Sequence, residues 1–176
     1  MRTLLKIFTL FGGSILLVLT HTILVDLLPY PFNFLNITYI GLVWWLMYDS
    51  THETRAAILT VAFLTELYAS TPFGVVLFAF VASLLITDWM LRTILTNHSW
   101  YMVFLAGILS LSLYHALYIF ILILLASFFH SGFAPNQKII IVTMGEVLLS
   151  SLALMVLYFV SRLFTRKMNP RYISLS

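Results

Sequence analysis

The stretch AAILTVAFLTELYASTPFGVVLFAFVASLLITDWMLR, from Ala56 to Arg92, decides the fold. As one helix its 37 residues would run about 55 Å. A bilayer hydrocarbon core is only about 30 Å thick. The segment Ala69-Ser70-Thr71-Pro72-Phe73-Gly74 interrupts the apolar run with a proline, a glycine and small polar residues, which mark a turn. The stretch therefore reads as two membrane-crossing helices, 56–70 and 73–92, joined tightly within the outer interface.

Working outward, the same reading finds four more apolar runs, at 7–28, 32–48, 100–129 and 138–164. Arg2 and Lys6 precede the first, as they would in a signal peptide. That run is too long for a signal core and no small-residue cleavage pattern follows it, so a retained helix is expected. Pro29 and Pro31 close it and turn the chain into the second run. Asp49 to Arg55 is the most polar stretch of the first half and is expected to be a loop, with Ser50 or Thr51 capping the next helix and Glu53 or Thr54 in its first turn. Further breaks are expected at Arg92 to Ser99 and at His130 to Gln137, and Arg162 to Ser176 forms a basic tail.

Composition agrees. Apolar residues make up 62% of the 176-residue chain and charged residues only 9%. Soluble domains are about 45–50% apolar and about 25% charged, so soluble, disordered and coiled-coil classes are excluded. The expected class is all-α: a polytopic bundle of six transmembrane helices forming one domain, with no room for a soluble one. With six spans, Arg2, Lys6, Arg55, Arg92, Arg162, Arg166, Lys167 and Arg171 fall on one side and only Lys138 on the other. The positive-inside rule then makes both termini cytoplasmic and predicts a multi-pass membrane protein. Trp44, Trp45, Tyr48, Trp89, Trp100 and Tyr101 fall toward the cytoplasmic ends, and Tyr30 and Tyr68 toward the outer side, as an aromatic belt requires.

Ionisable residues within spans are costly, about 2.5–3.5 kcal/mol each at the centre, and each needs a reason. Asp88 and Arg92, four apart, are expected to pair on one helix face. His21 and Asp26 on the first helix, Glu66 before the Pro72–Gly74 turn, and Glu146 on the sixth helix share the outer half, with His115 near mid-membrane. They either satisfy one another and a partner, or converge on a ligand. Gly12, Gly13 and Ser14 form a small-residue patch for close helix contact, within the bundle or with a partner.

Catalytic and cofactor signatures are missing. His52-Glu53 lacks the second histidine of a zinc protease motif, and no two histidines lie four apart. There are no cysteines, no phosphate-binding loop and no nucleophile elbow. Asn36-Ile37-Thr38 and Asn97-His98-Ser99 match the glycosylation pattern, but one falls in a span and the other on the cytoplasmic side, so both are read as accidental. No clustered basic face suggests nucleic acid. The sequence therefore predicts a protein that is not an enzyme and holds neither metal nor cofactor.

Two segments resemble a known family. Pro31-Phe32-Asn33-Phe34-Leu35-Asn36-Ile37-Thr38-Tyr39 resembles the proline-led second helix of the rod shape-determining protein MreD family. Phe63-Leu64-Thr65-Glu66-Leu67-Tyr68-Ala69-Ser70-Thr71-Pro72-Phe73-Gly74 is similar to its acidic third helix and small-residue turn, and the break at Arg92 sits where that family has one. The likeness covers roughly residues 26 to 100. That family usually carries Gly then Asp in the third helix, where this chain has Leu64 or Thr65 and Glu66. The resemblance implies a scaffold of the cell-elongation machinery. It would bind an MreC-like bitopic protein among membrane lipids, and with it an MreB-like filament and the glycan polymerase and transpeptidase of sidewall peptidoglycan synthesis. Pro31, Glu66, Pro72, Gly74, Asp88, Arg92, Glu146, His21 and His115 are then partner-binding or structural polar positions. The competing expectation is a substrate-binding subunit of an energy-coupling-factor vitamin transporter, also six-helical, with His21, Glu66 and Glu146 converging on a pocket. Against that reading, the first helix lacks alanines spaced four apart for docking. A channel or carrier would need a charged ring or broken-helix repeat, and neither is present.

Overall fold

The computed structural model describes residues 2–48, 51–94, 99–129 and 137–164, with side chains described for 11–48, 51–94, 99–128 and 139–163. Among these there are helices and no strands. In order they are α1 (Arg2–Leu27), a 3-10 turn (Phe32–Phe34), α2 (Ile37–Tyr48), α3 (His52–Tyr68), α4 (Val75–Thr93), α5 (Trp100–Phe129) and α6 (Gln137–Phe164). Val75–Thr93, Trp100–Phe128 and Ile139–Leu163 are long and apolar enough to cross a membrane, while Phe11–Leu27 and Ile37–Tyr48 are shorter apolar helices. The outer surface is correspondingly greasy: Leu16, Phe128 and Leu163 are 68%, 77% and 73% exposed. Water does not tolerate such continuous apolar cover, whereas lipid does.

The break in the deciding stretch falls where the sequence puts it, between Tyr68 and Val75. Three helix starts differ markedly, the first helix beginning at Arg2 rather than at residue 7. The second helix starts at Ile37 rather than Phe32, because Asn36 Oδ1 accepts the Tyr39 N–H at 3.0 Å and caps it. The chain before it makes the 3-10 turn behind Pro31. The third helix starts at His52, so His52 to Arg55 are helical rather than loop; Thr51 is its N-cap and Glu53 lies in its first turn. Asp49, Ser50, residues 95–98 with their Asn97 pattern, the expected loop at 130–136, and the tail from 165 with Arg166, Lys167 and Arg171 lie outside the described residues, as do the side chains of Arg2, Lys6 and Lys138.

α2 is the hub. It touches α1, α3, α4, α5 and α6, which follow one another around it in the order α1, α3, α4, α5, α6. The 3-10 turn packs on both α1 and α6 and links the two ends of that arc. A helix that is apolar all round belongs inside, and Tyr39, Ile40, Leu42, Val43 and Leu46 of α2 are all buried. Its 12 residues span only about 18 Å. The arc helices are longer, so α2 fills one half of the bundle and stops.

Small and hydroxylic residues bring the helices close. A Cβ on Gly107 of α5 would lie 3.0 Å from Ser151 Cβ and 3.1 Å from its Cα, so α5 and α6 meet nearly backbone to backbone. Between α2, α4 and α5, the Tyr39 hydroxyl lies 3.0 Å from Ser83 Oγ and from the Ser110 carbonyl. Ser110 Oγ donates to that hydroxyl at 2.8 Å and Thr87 Oγ1 donates to Ser110 Oγ at 2.8 Å. Edge-on contact of Tyr39 with Phe80, ring centres 5.3 Å apart, covers this network.

Two substitutions test the packing. Gly107→Ala forces α6 outward and should cost about 1–3 kcal/mol. Tyr39→Phe keeps the ring but strips the network of its central hydroxyl, and should cost about 0.5–1.5 kcal/mol. Thermal or denaturant melting of the purified protein in one detergent measures both.

Candidate functional site

The polar side chains fall into groups distributed between two ends of the bundle. One end carries the α3–α4 turn; the other carries Arg55 and Arg92.

At the turn end, Glu66 sits in the last turn of α3, 3% exposed. Its carboxylate accepts the Gly74 N–H at 2.7 Å through Oε1 and the Leu77 N–H through Oε2. Gly74 is the N-cap of α4, with φ +100°. The first amides of a helix have no partner within it, and the helix dipole is positive there, so a carboxylate is the fitting cap. Here α3 supplies it from across the turn. Gly74 is needed because an L side chain is strained at that φ. Pro72 gives its carbonyl to the Val75 N–H at 3.3 Å, and Pro72 and Phe73 stay exposed.

Glu146 of α6 is held from two sides. Asn36 Nδ2 donates to Oε1 at 2.8 Å, and His115 Nε2 of α5 lies 3.3 Å from Oε2. The Asn36 N–H also donates to Ser150 Oγ at 3.0 Å. One asparagine thus caps α2 and ties it to two turns of α6.

At the other end, Asp88 is 5% exposed and sits between two guanidinium groups. Arg92 Nε is 2.9 Å from its Oδ1, as the four-residue spacing predicts, and Arg55 Nη2 of α3 is 3.6 Å from its Oδ2. Both arginines are about half exposed, so the pair holds helix ends together at modest energetic gain.

A cavity of about 310 Å³ opens at the turn end, in the space above the start of α2. His21, Thr22 and Asp26 of α1, Asn36, and Thr65 of α3 provide its polar wall. Tyr68, Phe80 and Tyr114 provide aromatic faces. Val76 and Phe80 form a buried part of the wall, whereas Asp26 and Tyr68 are exposed. His21 Nδ1 is buried and has no hydrogen-bond partner among the described residues. The Glu146 carboxylate lies behind this wall, bound to the Asn36 side chain that lines it.

The expected convergence of His21, Glu66 and Glu146 is therefore divided. His21 lines the cavity; Glu146 lies close by, hydrogen-bonded by Asn36 with His115 beside it; Glu66 serves the α4 terminus instead. Pro31, joined to Tyr30 by a cis peptide bond, is the N-cap of the 3-10 turn. A Cβ on Gly12 or Gly13 would meet nothing described within 4 Å, while Ser14 is buried, so the two glycines do not serve packing within the described bundle. Sequence reading gave Asn36 no role of its own, taking it as part of an accidental glycosylation pattern and of the proline-led Pro31–Tyr39 segment. Its signal was an asparagine just before an apolar helix, the N-cap position. It also missed Arg55 as the second partner of Asp88, and the aromatic wall.

Glu66→Ala leaves two amides at the start of α4 without their acceptor and should cost about 1–3 kcal/mol. Glu66→Gln keeps one acceptor oxygen but sets an NH2 donor against the other amide, so it should recover only part of that loss. Gly74→Ala, strained by its φ alone, should cost about 1 kcal/mol. Melting midpoints of the three variants in the same detergent give this ranking. No family model, curated protein or solved structure matches the chain.

Proposed function

We propose that this protein is a non-enzymatic membrane scaffold of the MreD type. The carrying observation is the Glu66 cap on Gly74 and Leu77, which gives a physical role to the acidic residue and glycine of the segment that resembles that family. The chain crosses a bacterial inner membrane six times with both termini cytoplasmic. Arg55, Arg92 and Arg162 support this orientation: the first two share Asp88, and Arg162 follows Ser161, whose hydroxyl is 2.9 Å from that of Tyr48 at the same end of the bundle. An MreC-like bitopic protein is the partner, and through it an MreB-like filament and the polymerase and transpeptidase of sidewall synthesis. The carboxylates of Glu66, Asp88 and Glu146 are taken up inside the bundle, so helix faces are what it offers. The open Gly12–Gly13 face of α1 suits close approach of a partner helix.

The cavity favours a second reading, a substrate-binding subunit of an energy-coupling-factor transporter.

Affinity purification of the tagged protein from native membranes separates the two. The scaffold predicts co-purification of a bitopic MreC-like protein, lost or sharply reduced in Gly12→Leu/Gly13→Leu, with rounded cells. Recovery of an ATPase pair with a transmembrane coupling subunit, and normal shape, would refute it.

A further inference from the structure

We propose that the cavity beside α1 is a binding site for a small organic ammonium compound, with Asp26 as its counter-ion. The inference rests on the cavity that favours the second reading and names its ligand class; it does not depend on which partner the protein has.

Four observations carry it. First, the charge on the wall has one sign. Asp26 is a carboxylate at the cavity, a second, Glu146, lies behind the wall residue Asn36 and is hydrogen-bonded by it, and no lysine or arginine lines the space among the described residues. An anionic ligand would meet the Asp26 carboxylate and no fixed cation. Second, the walls are aromatic. Tyr68, Phe80 and Tyr114 face the space, and Phe80 and Tyr114 lie edge to face with centres 5.8 Å apart. Such rings attract an ammonium through their negative faces and cover an apolar body, and the attraction grows where water is displaced. Third, His21 Nδ1 is an unpaired buried polar atom in the wall, and in its unprotonated form it accepts an N–H. His21 lies five residues, about 7.5 Å of helix, before Asp26 on α1. An ammonium between them would meet the carboxylate toward the exposed side and the imidazole further along. Fourth, the volume of about 310 Å³ suits a compact ligand, at the small end of ordinary ligand pockets.

The cavity also has a structural origin that collapse cannot remove cheaply. α2 ends at its Asn36 cap, and Asn36 is held in place by Glu146 and Ser150. The helix that fills the centre of the bundle elsewhere is absent from this half, and the longer arc helices are left around a gap.

The test uses three probes of one shape: 2-phenylethylammonium, neutral 2-phenylethanol and anionic phenylacetate. Each is titrated into the purified full-length protein in detergent, with calorimetry and melting shift as readouts. The ammonium should bind saturably and roughly tenfold or more tighter than the alcohol, and phenylacetate should not bind. Asp26→Asn should weaken the ammonium by a similar factor while leaving the ligand-free melting midpoint unchanged, since Asp26 is exposed. Equal binding of the alcohol, preference for phenylacetate, or an unaltered affinity in Asp26→Asn would overturn the ammonium assignment while leaving a ligand cavity in place. Failure of all three probes at millimolar concentration would overturn both.

Discussion

A polar group inside an apolar bundle must find its partner within the protein, because lipid supplies none. Glu66 meets that demand most economically. Its side chain enters the bundle at the end of one helix and is used up by the exposed amides of the next. The cost of burying a carboxylate and the cost of an uncapped helix start offset each other through two hydrogen bonds. The tight α3–α4 turn follows from that match. So does the pairing of α3 with α4, and through α4 the position of Tyr39, Ser83, Thr87 and Ser110.

The same demand explains the placement of the remaining polar groups. Asp88 takes two arginines, Glu146 takes an asparagine and approaches a histidine, and four hydroxyl side chains share one network. Each group joins at least two helices. Together they set which helices touch, whereas leucine and isoleucine faces, being as soluble in lipid as in each other, discriminate little. Small residues such as Gly107 then set how closely the helices approach.

The cavity is the exception, and its cause is geometric. A central helix of 12 residues, about 18 Å long, cannot fill a bundle whose outer members run from 17 to 30 residues. The half left empty is lined by side chains of the surrounding helices, among them the imidazole whose Nδ1 has no described partner. A scaffold has no evident need for such a space, whereas a ligand-binding protein does. The two functional readings differ in which feature they make central: the outward faces of the bundle or its unfilled half.

Hydropathy and punctuation by themselves determined the all-helical class, the break between Tyr68 and Val75, and the Asp88–Arg92 pair. Helix length against bilayer thickness, proline and glycine chemistry, and four-residue spacing are local rules that act along one segment. They also located Glu66 beside its turn. Only the tertiary structure decided what its carboxylate holds, because Gly74 and Leu77 reach it by the angle between two helices and not by any spacing in the chain. Asn36 and Glu146, 110 positions apart, were equally illegible as partners. The hub position of α2 depends on how five neighbours close around it. The cavity follows from a length mismatch that exists only once those helices are side by side.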